Sequence, residues 1–515
     1  MDSILPRDIK TIIEVDFMSN ENVKTGKTFI GVSIIIFCSK VLGFLREIFF
    51  ASVFGTTVLT DMFGVIFSLP SLLFASVGTA LSSVNIPDLT YFISNRTKEE
   101  RDRYLSNLFA QVTLWATLIC IIGITFAPTI TKIIAPGFSG EVTGIAVALT
   151  RVMIPTLLFV SLTYVATGVL QVHGYFLMSS IISIPFNLVI IISLLIKGAD
   201  IMFLGYITTL GWLLQFLIQL PVIIKEKYHF FWRIDFKNEQ TVSTFKQLIP
   251  ILMGNSLLQL CLIIDRTFAT HLTAGTTAAL SFGSNLFVTV TSVFIVAMST
   301  VVFPRLSKYC LDLDYTRIRL MLANIFKILL FILVPYLVLV VTYHQEIISL
   351  LYERGAFTSK STSMTSLAFL FYSFAVIGYA CQEIFNRVYY ALKKFKIPMT
   401  VSMVCIAIKV LLDLILFRSA GITGISGSTA FCLLLYAIIM SFLISREIGG
   451  FLRKDLFFYG LKLILPVISM ILVIVLFKFF INGGVVLTFL LPLTLSGCIY
   501  LGIAYLIGLN KEFYS

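Results

Sequence analysis

The chain has 515 residues, of which 58% are hydrophobic and 12% are charged, and its mean hydropathy is +0.99. A soluble globular protein carries about 25% charged residues, so this composition excludes that class. The 38 lysines and arginines outnumber the 26 aspartates and glutamates, which gives a formal net charge of +12. Such a balance is compatible with nucleic-acid binding, but the basic residues cluster in alternate loops between apolar runs, which indicates membrane topology instead.

The apolar runs follow one another along nearly the whole chain. Many reach about 20 residues, enough for a helix to cross some 30 Å of hydrocarbon, and the alternating pattern of a membrane β-barrel is absent. We therefore predict an all-α polytopic membrane protein with about 14 transmembrane helices. The predicted spans are 28–52, 58–92, 104–131, 141–172, 175–197, 201–224, 243–272, 275–307, 316–343, 361–391, 397–418, 421–445, 456–481 and 484–508.

The positions of the basic residues predict the orientation of these helices. Lysines and arginines concentrate in the N-terminal tail and in every second loop after it. Because cytoplasmic loops carry the excess of Lys and Arg, we expect both termini in the cytoplasm. Residues 1–26 contain no apolar core of a signal peptide, so we expect this tail to be retained.

A repeat divides the helices into two halves. Arg46 and the tripeptide Gly55-Thr56-Thr57 recur 220 residues later as Arg266 and Gly275-Thr276-Thr277. Six predicted spans precede the loop 225–242 and six follow it, so the repeat predicts two pseudo-symmetric six-helix lobes of an alternating-access transporter. The predicted segments are a cytoplasmic tail (1–27), an N-lobe (28–228), a cytoplasmic linker (229–242), a C-lobe (243–450), and two C-terminal helices with a short cytoplasmic tail (451–515).

Charged residues inside the first apolar run mark a candidate site. Lys40, Arg46 and Glu47 lie within the first predicted span, and Asp61 lies near the start of the second. A charge at mid-bilayer costs about 2.5–3.5 kcal/mol on insertion scales, so these side chains must face a wet cavity or one another. We interpret them as a cationic floor for an anionic substrate. The alternative is an internal ion-pair cluster that only holds the helices in register.

Several motifs of the chain are shared with one known family. They are Ser39–Glu47, Thr60-Asp61, Leu69–Leu73, Ile264–Ala269, Phe303–Ser307, Leu351–Thr358 and Asn386–Leu392. In this order, over roughly residues 28–445, the sequence resembles the bacterial lipid II flippases (the MurJ/MviN family) of the multidrug/oligosaccharidyl-lipid/polysaccharide exporter superfamily. An arrangement of six plus six plus two helices also suits that family.

The resemblance implies a flippase for a polyprenyl-diphosphate-linked glycan, with the peptidoglycan precursor lipid II as first choice, in the bacterial cell membrane. A diphosphate cannot cross hydrocarbon bare, and the arginine fork and the lysine point charge are the groups that bind it. The residues expected to line the substrate cavity are Lys40, Arg46, Glu47, Asp61, Arg266 and Arg387. The expected partners are the substrate lipid, membrane lipids and cell-wall synthesis enzymes, but not nucleic acid.

Three positions depart from the family pattern. Lys40 stands where the family usually has arginine, and Phe74 and Asn285 stand where two further cavity arginines are expected. Either Arg266 and Arg387 substitute for the missing cations, or the protein carries a different lipid-linked glycan. The sequence leaves both alternatives open.

The eleventh predicted span carries another departure. Lys409 and Asp413 lie four residues apart on one helix face, so they can pair. Sodium-dependent members of the family have an asparagine and an aspartate at these positions, and a second aspartate where Asp265 stands. We hypothesise that the Lys409 ammonium replaces that sodium ion, with a protonation-linked role as one version, and that coupling uses the membrane potential or another ion gradient. The alternative is a plain structural ion pair.

Enzyme and metal motifs are absent from the sequence. It contains no G-x-S-x-G, H-E-x-x-H or GxxxxGK[ST] motif, and its eight cysteines and four histidines lack metal-ligand spacing. We therefore expect neither an enzyme nor a cofactor. The remaining alternatives are an exporter of another lipid-linked oligosaccharide of the capsule or O-antigen type, a cation-coupled drug exporter of the same superfamily, and a membrane scaffold for cell-wall enzymes.

Overall fold

The structure is a computed structural model. It describes residues 31, 34–197, 200–231, 234–237, 242, 256–450, 454–480 and 486–509. Every regular element within these ranges is a helix, which confirms the all-α prediction.

The described part of the first half of the chain begins with α1, which covers residues 34–54. The following helices are α2 (Val58–Asn95), α3 (Lys98–Thr125), α4 (Ala127–Ile134), α5 (Glu141–Met153), α6 (Thr156–Val172), α7 (Phe176–Ile181), α8 (Ser183–Lys197), α9 (Ile201–Leu217) and α10 (Leu220–Lys225). Local sequence explains several boundaries. Pro155 separates α5 from α6, because proline cannot donate the backbone hydrogen bond that a continuous helix needs. The Asp200 side chain accepts a hydrogen bond from the Phe203 amide and so caps α9.

The second half continues with longer helices. They are α11 (Leu257–Ala269), α12 (Thr276–Leu311), α13 (Tyr315–Tyr352), α14 (Ser359–Ser373), α15 (Val376–Ala391), α16 (Lys396–Ile448), α17 (Lys454–Phe480) and α18 (Leu491–Leu506), the last preceded by a π-helical turn (Val486–Leu490). The 53-residue helix α16 is broken at Gly421, whose φ of 55° and ψ of −128° are non-helical. Glycine tolerates such a backbone, and the break falls where the sequence predicts one span to end and the next to begin.

Many helices are suited to a membrane. Within the described ranges, eight helices or continuous helix pairs are long and apolar enough to span it, and α14 with α15, bent by 44°, makes up to nine. Their outer faces expose large apolar side chains, such as Phe479 (79% exposed) and Leu506 (83% exposed), which lipid rather than water would cover. A multi-pass membrane protein is therefore confirmed, whereas the count of 14 helices stays a prediction.

The chain folds as two compact units that interleave in sequence. The first unit contains the described parts of Met1–Phe49, Val77–Ile124 and Val152–Phe245, and the second contains Phe50–Ser76, Thr125–Arg151 and the described residues of Lys246–Ser515. Two stretches of the first sequence half, 50–76 and 125–151, thus pack with the second half. The lobe boundaries near residues 228 and 243 stay a prediction.

Candidate functional site

The cations predicted on the first helix lie in the first unit, on α1. The Arg46 guanidinium is 4.0 Å from the Glu47 carboxylate, and it lies 5.4 Å from the ring centre of Phe186 on α8. The Arg46 side chain keeps 21% of its surface exposed. Lys40, six residues earlier, is exposed and forms no ion pair or hydrogen bond with any described residue. This helix therefore presents an ammonium and a guanidinium that an anionic group can still reach.

Three turns of the second unit pack closely against one another, and we call them the three-turn cluster. These turns are residues 52–61, 275–278 and 353–362. The Ala356 amide donates to the Ser52 carbonyl at 2.8 Å, and the hydroxyl oxygens of Thr56 and Ser361 are also 2.8 Å apart. Gly55 has a φ of 56°, and a Cβ atom there would lie 2.2 Å from the Ala356 carbonyl oxygen. Only glycine fits this close approach.

Asp61 ties α2 to the start of α12 inside the three-turn cluster. Its Oδ2 atom accepts a hydrogen bond from the Gly275 amide and its Oδ1 atom one from the Ala278 amide, each at 2.6 Å. The first amides of a helix have no partner within the helix and form its positive end. The structure thus satisfies the Asp61 carboxylate with backbone amides, and its predicted place beside Lys40 and Arg46 stays a prediction.

The other predicted cavity cations also belong to the second unit. Arg266 on α11 is buried, and its Nη1 atom donates to the Gly64 carbonyl of α2 at 3.3 Å. Arg387 on α15 lies 3.8 Å from Glu383, one turn earlier on the same helix. Both guanidinium groups thus have protein partners. Their role as substitutes for missing substrate-binding arginines stays a prediction.

A buried polar group surrounds Lys409, and we call it the Lys409 cluster. Its members are Asp265 on α11, Tyr372 on α14, and Lys409, Asp413, Ser428 and Thr429 on α16. The Lys409 Nζ atom is 2.6 Å from Asp265 Oδ1 and also contacts Asp413 Oδ2, and all three side chains are fully buried. The ion pair predicted from the four-residue spacing of Lys409 and Asp413 is present. Its role in ion coupling stays a prediction.

The turn after α13 is held by hydroxyl groups. Glu353 accepts hydrogen bonds from the hydroxyls of Ser359 and Thr362. These bonds favour the charged carboxylate and hold the pKa of Glu353 below its usual value. The charged side chain therefore fixes the third turn of the three-turn cluster.

The profile of the family described as "Lipid II flippase MurJ" matches residues 50–495. The chain belongs to the lipid II flippase MurJ family. A family relative from Buchnera aphidicola subsp. Schizaphis graminum, named "Probable lipid II flippase MurJ", is 25% identical over 511 residues, which cover 95% of this chain and 98% of the relative. The family predicted from the motifs is thereby confirmed.

Solved structures show the same fold. A structure described as "Lipid II flippase MurJ, inward closed conformation" aligns with a TM-score of 0.79 at 24% identity, covering 93% of this chain and 98% of its own. An inward-facing MATE multidrug transporter of the MOP superfamily aligns with a TM-score of 0.64 at 14% identity, covering 82% and 98%. At such identities the likeness concerns the fold alone.

Some positions of the candidate site could not be predicted from the sequence. Tyr372, Ser428 and Thr429 complete the Lys409 cluster, although the only sequence signal is a hydroxyl group inside an apolar span. Of the two positions where arginine is missing, Asn285 lies half-buried on α12. The Phe74 side chain lies outside the described residues, so its predicted effect on specificity stays open.

Proposed function

We propose that this protein is a flippase that moves lipid II from the cytoplasmic to the outer leaflet by alternating access, without catalysing a reaction. The observation that carries the proposal is the family match over residues 50–495. The proposal is also supported by the relative named "Probable lipid II flippase MurJ", whose alignment covers 95% of this chain. Multi-pass placement in the bacterial cell membrane, with both termini cytoplasmic, belongs to the same proposal because the basic loops favour that orientation.

The charges of α1 supply the chemistry that the proposal needs. A diphosphate carries several negative charges into a region where bare charges are costly, so it needs fixed cations on the protein. Lys40 offers an exposed ammonium, and Arg46 offers a fork that matches phosphate oxygens. The Glu47 carboxylate lies 4.0 Å from the Arg46 guanidinium and partly neutralises it, and a diphosphate would compete with Glu47 for that guanidinium.

The three-turn cluster supplies a closed state for alternating access. The predicted topology places the turn at residues 55–57 on the side opposite the termini, hence at the outer face. Asp61 and the Thr56–Ser361 contact hold this cluster shut in the structure. In the proposed cycle, these contacts break when the site opens to the outer leaflet.

One specific observation favours a second candidate substrate. Phe74 and Asn285 remove two positive charges that the family pattern places in the cavity. A different polyprenyl-diphosphate glycan would keep the diphosphate contacts while changing those made by the headgroup. A cationic drug is disfavoured, because Lys40 and Arg46 would repel it.

Native mass spectrometry of the purified protein with lipid II tests the proposal. We expect the parent protein to retain lipid II, and Lys40→Ala and Arg46→Ala to lose it. Lys396→Ala serves as the matched control, since Lys396 is exposed at the start of α16 and should not affect retention. Retention that is unchanged in both α1 variants would contradict the diphosphate-binding role of α1.

The same experiment separates the substrates. If lipid II is not retained but another undecaprenyl-diphosphate glycan is, the fold and the α1 chemistry stand and the headgroup assignment is wrong. A translocation assay in proteoliposomes then separates a flippase from a membrane scaffold. A scaffold for cell-wall enzymes would move no lipid-linked glycan and would tolerate loss of both α1 cations.

A further inference from the structure

The Lys409 cluster has the donor groups of a monovalent-cation site, with a side-chain ammonium where the ion would be. The Nζ atom lies 2.6 Å from Asp265 Oδ1 and contacts Asp413 Oδ2, and no part of these side chains reaches solvent. Hard metal cations in proteins also choose carboxylate and other oxygen ligands. The position of Nζ is therefore one that a free cation could occupy if lysine were absent.

The carboxylates are held in place to face this position. The second oxygen of Asp265 accepts hydrogen bonds from the hydroxyls of Tyr372, at 2.8 Å, and Thr429, at 2.7 Å. The second oxygen of Asp413 accepts one from the Ser428 hydroxyl. In each carboxylate, one oxygen thus accepts hydrogen bonds from neutral hydroxyl groups and the other contacts the Lys409 ammonium. Such a preorganised set would persist around a different cation of similar charge.

The cluster links helices that are distant in sequence. Asp265 belongs to α11 and Tyr372 to α14, whereas the α16 members lie on both sides of the break at Gly421. A cation at Nζ therefore holds together α11, α14 and the two segments of α16. If a free ion bound reversibly at this position, the packing of these helices would depend on the concentration of that ion. A covalently attached cation makes the packing permanent.

Two carboxylates surrounding a single buried position would repel each other if the position were empty. Arg266, the next residue after Asp265, directs a guanidinium nitrogen at the Gly64 carbonyl. The charge that faces both carboxylates is the Lys409 ammonium. The cluster therefore requires some cation at this position, and the chain supplies its own.

We propose that Lys409 is a tethered cation that permanently fills this cage, so that the second unit packs without binding sodium or another free monovalent cation. The consequence for transport rests on the proposed function: lipid II movement then needs no sodium gradient. The proposal itself concerns ion binding, and it can be tested without any lipid substrate.

The test converts the tethered site into an exchangeable one. Lys409→Asn removes the ammonium and leaves the two carboxylates with an added amide oxygen. Thermal unfolding is followed in sodium chloride and in choline chloride of equal ionic strength. We expect the parent Tm to be the same in both salts. We expect the Tm of Lys409→Asn to rise by about 2 °C or more, saturably, with sodium.

Two control variants make the result specific to the cluster. Lys327→Asn replaces another buried lysine, on α13, and should show no difference between the two salts. The double variant Lys409→Asn/Asp413→Asn removes one carboxylate from the cage and should lose the sodium response. A response that survived in the double variant would locate the sodium elsewhere and overturn the proposal.

Two further results would also overturn the proposal that Lys409 is a tethered cation. One is a folded Lys409→Asn protein with equal Tm values in both salts, which would make the cluster a structural ion pair only. The other is a sodium-dependent Tm in the parent that disappears in Asp413→Asn. If Lys409→Asn does not fold in either salt, Lys409→Ala is prepared with methylammonium chloride. Recovery of folded protein by this untethered ammonium supports the proposal, and failure to recover contradicts it.

These measurements separate the inference from the proposed function. The Tm values depend on the cation in the cage and not on lipid II. A protein that fails to move lipid II but gains a sodium response in Lys409→Asn would keep the tethered cation and lose the flippase assignment. A protein that moves lipid II but shows no sodium response in Lys409→Asn would keep the flippase assignment and leave Lys409 with a structural role only.

Discussion

Neutralising Asp61 should open the three-turn cluster. The carboxylate accepts two amide hydrogen bonds at 2.6 Å, from Gly275 and Ala278, at the positive end of α12. Asp61→Asn keeps one acceptor oxygen, but its NH₂ group meets an amide donor where the second oxygen was. The variant therefore loses one charge-assisted hydrogen bond, worth about 1.5–3 kcal/mol, and the attraction to the helix end, worth about 0.3–1 kcal/mol at an exposed site and more when buried.

Together these losses amount to about 2–4 kcal/mol of the free energy that keeps the cluster closed. Since each 1.4 kcal/mol is a factor of ten, the equilibrium constant for opening should rise by about 30- to 700-fold. The size of this change does not depend on how strongly the parent favours the closed state. As long as the closed state predominates, the open fraction is proportional to this equilibrium constant, so a measurement of the open fraction reports the change.

The buried hydroxyl of Ser361 provides such a measurement. Ser361 is 3% exposed and lies against Thr56, so a cysteine at this position should react with a polar maleimide only after the cluster opens. Ser361→Cys is introduced in a background in which the exposed Cys38 and Cys498 are serine. The rate of alkylation should then rise by about 30- to 700-fold when Asp61→Asn is added.

The exposed Asp312, in the turn before α13, provides the matched control. Asp312→Asn removes the same charge without touching the cluster, so it should leave the alkylation rate unchanged. If Asp61→Asn raises the rate by less than about threefold, the Asp61 carboxylate contributes less than about 0.7 kcal/mol. The account of Asp61 as the group that holds the three turns together would then be wrong.

Three further changes test other parts of the structure. Lys409→Met, measured in sodium-free buffer, should lower the unfolding free energy by about 3–5 kcal/mol, because it leaves buried carboxylates without their cation; an unchanged Tm would contradict this. Gly275→Ala should raise the alkylation rate in the Ser361→Cys assay, because Gly275 has a φ of 89° and an added Cβ would lie 2.4 Å from the Thr56 carbonyl oxygen. Asp102→Ala should make the segment 228–231 sensitive to limited proteolysis, since the Asp102 carboxylate accepts the His229 amide at 3.1 Å; equal cleavage rates would show that other contacts suffice.

Hydropathy predicted the architecture well for a physical reason. Hydrocarbon offers no partners to backbone amides and carbonyls, so apolar runs of this length must form helices. The Lys409–Asp413 contact could be predicted equally well, because residues four apart share a helix face. The break at Gly421 coincides with the first residue of the predicted span 421–445. A single straight helix of 53 residues would exceed the bilayer thickness, so two spans were expected here.

Contacts between segments distant in sequence could not be predicted in this way. Every non-proline residue has a backbone amide, so nothing in the sequence singles out Gly275 and Ala278 as the partners of Asp61. The hydroxyls of Tyr372 and Thr429 lie 107 and 164 residues from Asp265 in sequence, and no helical periodicity relates them. Charge alone therefore predicted the candidate residues, while their partners had to come from the fold.

Whether a cation is already paired with a carboxylate or a carbonyl decides how strongly it can bind a substrate anion. The Lys409 ammonium is enclosed by two carboxylates and is fully buried, so it has no capacity left for a substrate anion. Arg387 lies near Glu383, and Arg266 is directed at a backbone carbonyl. Lys40, by contrast, is exposed and has no ion pair within the described part of the chain. A diphosphate gains most from a cation whose charge is not already neutralised. In the lipid II retention experiment, Lys40→Ala should therefore cause a larger loss than Arg387→Ala, and the opposite order would move the diphosphate site from α1 to α15.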